Sequence, residues 1–114
     1  MALSVRDVLV AARARITDPR HFIRGNPDLQ AINNQGRACS ACDPSACRWT
    51  ARGAVTAEAD GRPEQERAYR LLDRAARRLS PNALACQGVL CCQEHAAVLR
   101  IYDEAIKTSE KDKP

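Results

Sequence analysis

Alanine is the commonest apolar residue of this 114-residue chain, and much of the apolar set recurs at steps of three and four. That combination constrains the fold more than any motif. A core built on small side chains fills space only where helices approach closely, and the aromatic content, one Trp, one Phe and two Tyr, supplies few large residues to bridge wider gaps. Ala, Leu, Arg and Glu are good helix formers because they lose little side-chain entropy in a helix, whereas β-branched runs that would mark strands are scarce. The expectation is an all-α protein: a small bundle of four to five helices, with a long loop between the first two main helices.

The periodicity places those helices. Ser4 with Asp7 three residues on forms a capping-box-like start, followed by Val5, Val8, Leu9, Ala12 and Ile16 at helical spacing up to Asp18-Pro19. Residues 19–43 then lose periodicity at Gly25, Asn26-Pro27, Asn33-Asn34, Gly36 and Asp43-Pro44, and read as the long loop. Asp43-Pro44 suits the start of a second helix over 44–58, with Cys47, Ala51, Ala54 and Val55 inward and Gly53 allowing a close helix contact. Pro63 opens a third helix to Leu79, a short helix is placed over 82–90, and a last one over 93–106. The expected core is Val8, Leu9, Ala12, Ile16, Cys47, Ala51, Ala54, Leu72, Ala75, Val98, Leu99 and Tyr102. One domain over 1–108 and a polar tail over 109–114 follow from the length.

Charge and cysteine usage bear on setting and partners. Arg6, Asp7, Arg13 and Arg15 interrupt the N-terminal apolar window, so neither a signal peptide nor a membrane span fits it. Six cysteines without an export signal point to thiols or metal ligands in a reducing cytoplasm. The net charge of +4 is spread along the chain and favours solubility over any one partner. An alanine-rich core also suits a protein partner or self-association, through which a small domain buries more apolar area.

Three features carry chemistry. Cys39-x-x-Cys42-x-x-x-x-Cys47 offers thiolates at a spacing that suits tetrahedral zinc, with Cys86, Cys91, Cys92 or His95 as the fourth ligand; Cys86 is taken as the first choice. The plainer alternative keeps Cys47 in the core, leaves Cys39 and Cys42 as loop thiols, and expects no cofactor. The same pair could act as redox groups if Cys39 and Cys42 precede a helix start, the enzyme reading being a thiol oxidoreductase; a Cys-His pair of His95 with Cys91 or Cys92 is the other catalytic candidate. Third, Arg67, Arg70, Arg74, Arg77 and Arg78 share one face of the third helix, a stripe that can track phosphates of a nucleic acid or serve as a solvated face paired to Glu64, Glu66 and Asp73. No phosphate-cradling glycine loop, nucleophile elbow or paired-His metal helix is present in the sequence.

Two segments carry a resemblance. Asp43-Pro44-Ser45-Ala46-Cys47-Arg48-Trp49-Thr50-Ala51-Arg52-Gly53-Ala54 and His95-Ala96-Ala97-Val98-Leu99-Arg100-Ile101-Tyr102-Asp103-Glu104-Ala105-Ile106, with Ala11 to Gly25, are similar to a bacterial family of small helical proteins catalogued as domain of unknown function 6197. Thr50 stands where the family has a cysteine, and Leu90-Cys91-Cys92 where it has a Trp-Asn-Asp stretch. The resemblance implies a helical fold and no known activity. The chain is thus expected to be a non-enzymatic binding or accessory module, with structural zinc binding and nucleic-acid binding as the alternatives.

Overall fold

The computed structural model describes residues 4–24, 29–79 and 94–111. These described residues form four α-helices, α1 (Val5–Ile16), α2 (Ala51–Ala59), α3 (Pro63–Leu79) and α4 (His95–Lys111), and three short strands, β1 (Ala31–Asn33), β2 (Ala38–Cys39) and β3 (Ala46–Trp49). The strands form an antiparallel sheet in the order β2-β1-β3. The fold is therefore mixed α/β, and the all-α expectation is corrected: the segment read as a long loop holds most of a sheet.

The sheet forms through local turn chemistry. Asn33 accepts the backbone N–H groups of Gln35 and Arg37 on its side-chain oxygen, at 2.9 and 3.0 Å. Gly36, at φ 77°, completes the reversal by donating to the Asn33 carbonyl, a backbone conformation that glycine adopts without steric cost. β2 then returns along β1, pairing Cys39 with Ala31. Asp43 makes the next turn by accepting from both the backbone and hydroxyl of Ser45, at 2.8 and 2.6 Å. It therefore does not cap a helix at 44, and Cys47 lies half-buried in β3 instead of on a helix face.

Thr50 is the single residue between β3 and α2. Its Oγ1 accepts the Gly53 N–H at 2.9 Å and donates to the Leu29 carbonyl, also at 2.9 Å, so one hydroxyl caps α2 and binds it to the strand entry. The same approach explains Gly53: a Cβ there would lie 1.8 Å from the carbonyl oxygen of Gln30. The close contact anticipated at Gly53 exists, but its partner is the backbone leading into β1.

The helices supply the core. Ser4 and Asp7 form the expected capping box on α1, and Val8, Leu9, Ala12 and Ile16 are fully buried. They meet Ala51, Ala54 and Val55 of α2, Leu72, Ala75 and Ala76 of α3, and Val98, Ile101 and Tyr102 of α4 in one cluster. Each fully buried Leu, Ile or Val contributes roughly 1.5–3 kcal/mol. Leu99 of the expected core is only partly buried, packed against this cluster with Phe22 and Trp49. A 3-10 turn at Pro19–His21 leads from α1 toward β3, where Ile23 donates to the Trp49 carbonyl at 3.0 Å. Among the described residues no helix is long and apolar enough to cross a membrane.

Candidate functional site

The thiols occupy different surroundings. Cys39, on edge strand β2, is half-buried, and burial pushes its thiol pKa up, with the charges of Asp43 and Cys47 adding to the effect. Cys42 is exposed, and its Sγ donates toward the Thr56 carbonyl of α2 at 3.7 Å. Cys47 directs its Sγ to the Ile32 carbonyl of β1 at 3.6 Å. Among the described residues no three His, Cys, Asp or Glu side chains are grouped so as to hold a metal ion. Cys86, the fourth ligand chosen from sequence, lies outside the described residues together with Cys91, Cys92 and the short helix over 82–90.

The redox premise also changes. Cys39 and Cys42 are followed by a turn and β3, not by a helix N-terminus, and the Cys39 thiol is raised where an attacking thiol is usually lowered. His95 is engaged at the start of α4: its Nε2 donates to the Ile16 carbonyl at 2.7 Å and its ring packs against Phe22, with centroids 5.2 Å apart. The carbonyls at the end of α1 lack intrahelical partners, so His95 completes a helix end.

A cleft of about 510 Å³ opens between α1, α2, β3 and the 3-10 turn, lined by Ala11, Ala14, Arg15, His21, Cys47, Trp49 and Glu58. Its two charged side chains, Arg15 and Glu58, are committed to each other. Arg15 binds Glu58 through Nε at 2.8 Å and through Nη2, and its guanidinium lies 4.7 Å from the Trp49 ring centroid. Trp49 Nε1 donates to the Ala41 carbonyl at 3.1 Å. These contacts clamp α1 to α2 beside Trp49 of β3, and they join residues 43 positions apart that no local pattern connects.

The arginine stripe is the feature that remains open to solvent. α3 buries Ala68, Leu72, Ala75 and Ala76, while Arg67, Arg70, Arg74, Arg77 and Arg78 are all exposed. At 100° per residue these five side chains fall within an arc of about 100°. Arg70 reaches Glu66 at only 3.9 Å, with both side chains largely exposed, and Arg78 pairs with Glu104 of α4 at 2.6 Å. Arg67, Arg74 and Arg77 have no ion pair among the described residues, and of the pairing to Glu64, Glu66 and Asp73 considered from sequence only the Arg70–Glu66 contact is seen there. Arg70, Asp73, Arg74 and Arg77 surround a shallow depression of about 350 Å³. The helix ends in Arg77 and Arg78, where its dipole favours positive charge.

Comparison with protein-family models, with curated proteins and with solved structures finds no match to the chain.

Proposed function

We propose that the chain is a non-enzymatic binding module whose α3 arginine face docks on nucleic acid. The observation that supports this reading is the set Arg67, Arg74 and Arg77, exposed on one arc and without ion pairs among the described residues. Guanidinium groups form bidentate bonds to phosphate oxygens and stay charged at every physiological pH. A helix anchored by Ala68, Leu72, Ala75 and Ala76 presents them on a rigid element. The two catalytic readings made from sequence, an activated Cys39–Cys42 pair and a Cys-His pair at His95, lose support from the raised Cys39 and the engaged His95. A reducing cytoplasmic setting suits a chain with six cysteines, and Cys39, Cys42 and Cys47 are free thiols.

The test is fluorescence anisotropy with labelled mixed-sequence nucleic acid. Binding that weakens steeply with salt and is abolished by Arg70→Glu with Arg74→Glu supports the reading. Binding indifferent to that double substitution sinks it.

A further inference from the structure

Resting on that reading, we infer that the ligand of α3 is the phosphate backbone of a double-stranded nucleic acid, bound without regard to sequence. Proteins that bind single strands commonly combine a basic groove with aromatic side chains on which successive bases stack, each stacked base adding about 1–3 kcal/mol. The chain has four aromatic residues, Phe22, Trp49, Tyr69 and Tyr102, and each is committed elsewhere. Phe22 packs on the His95 ring. Arg15 lies over Trp49, and Arg52 lies over Tyr69 with its guanidinium 4.5 Å from the ring centroid. Tyr69 also bonds Gln65 and Thr56, and Tyr102 is fully buried. No stacking platform stands beside the arginines.

The shape of the basic arc points the same way. Arg67 to Arg78 span eleven helical steps, about 16 Å of axis, enough to follow about three consecutive phosphates along one duplex strand. On the helical wheel Glu66 and Asp73 flank this ridge on one side and Glu64 on the other. Insertion into a major groove about 12 Å wide would carry those carboxylates onto the opposite phosphate wall. A ridge confined to one strand's phosphates meets no base edges, and phosphate contacts alone carry no sequence information. A duplex holds its phosphates in fixed positions, whereas a flexible single strand would have to be ordered without stacking to offset the loss.

The experiment measures binding of the full chain to duplex DNA, duplex RNA and the matching single strands, each in two unrelated sequences, at 50 and 200 mM salt. The expected result is duplex binding at least about tenfold tighter than single-strand binding and equal for both sequences. With three or four phosphates engaged, the affinity for duplex DNA should fall about 40- to 150-fold across that salt range. Arg70→Gln with Arg74→Gln should reduce the logarithmic salt slope by about 2, while Arg48→Glu, exposed on β3 and not on α3, leaves affinity within about twofold. Circular dichroism confirms that each variant is folded. Single strands bound as tightly as duplexes, or one sequence or one duplex type preferred by more than about tenfold, would overturn the backbone-only inference while leaving nucleic-acid binding in place. No salt-sensitive binding to any probe would overturn the underlying reading as well.

Discussion

Tyr102 of α4 donates its phenolic O–H to the carbonyl oxygen of Ala51, 2.6 Å away in the first turn of α2, and both residues are buried. The bond joins two helices 51 positions apart in sequence at the centre of the core. Because Ala51 is helical, its carbonyl also serves its own helix. Tyr102→Phe therefore removes this bond without orphaning the Ala51 acceptor, which costs about 1 kcal/mol. For a domain of this size that lowers the melting temperature by roughly 4–8 °C. Tyr102→Ala adds a cavity and costs about 3–5 kcal/mol, which urea titration separates from the first variant.

Gly53→Ala is expected to be among the most damaging single-methyl additions in the protein. Alanine is the better helix former by about 0.5–1 kcal/mol, yet its Cβ would sit 1.8 Å from the Gln30 oxygen, which belongs to the backbone and cannot rotate away. A loss of at least 2 kcal/mol, on the order of strong overpacking, is expected by urea denaturation. A stable Gly53→Ala protein would mean that α2 and the β1 entry separate easily.

The thiols should differ in reactivity. At pH 8 iodoacetamide is expected to label Cys42 before Cys39, as followed by mass spectrometry, because Cys42 is exposed while burial, Asp43 and Cys47 hold the Cys39 thiol protonated. Rising pH should narrow the difference as Cys39 ionises. Asp43→Asn keeps the side-chain oxygen that Ser45 uses, removes the charge, and should speed Cys39 labelling.

Asp18 offers a pH test. Hydrogen bonds from the Arg20 side chain and backbone hold its carboxyl well below the usual carboxylate range. A carboxyl whose folded pKa is depressed adds stability at pH values above its unfolded pKa, near 3.9. That contribution is lost as pH falls through the folded value. Carboxyl NMR should show Asp18 ionised to below the usual carboxylate range, and Arg20→Ala should return it toward that range.

The helical part of the fold was legible for physical reasons. Ser4 and Asp7 announced α1, its buried face followed from spacing, and Pro63 to Leu79 bounded α3. The exposed arginines were found by the same arithmetic, because a helix face is a local property. The sheet was harder to see: strands of two to four residues, filled with Ala and Cys, show no sustained alternation. A signal did exist in Asn33-Asn34-Gln35-Gly36, a glycine-containing loop of hairpin length. Asp43-Pro44 looked like a helix start because Asp suits both an N-cap and a turn, and it drew attention from Thr50, the true cap. The Arg15, Glu58 and Trp49 clamp depends on where β3 lies, so it could not be read until the sheet was known.

The one-residue link at Thr50 divides the protein into places that accept new length and places that refuse it. An added residue between Trp49 and Ala51 would rotate α2 by about 100°, turning Ala54 and Val55 out of the core and bringing a side chain against Gln30. The turn at Gln35-Gly36 faces open space, with nothing within 4 Å of the Gly36 Cβ position. A peptide tag or a fluorophore attachment point belongs there, leaving the arginine face of α3 clear for binding measurements.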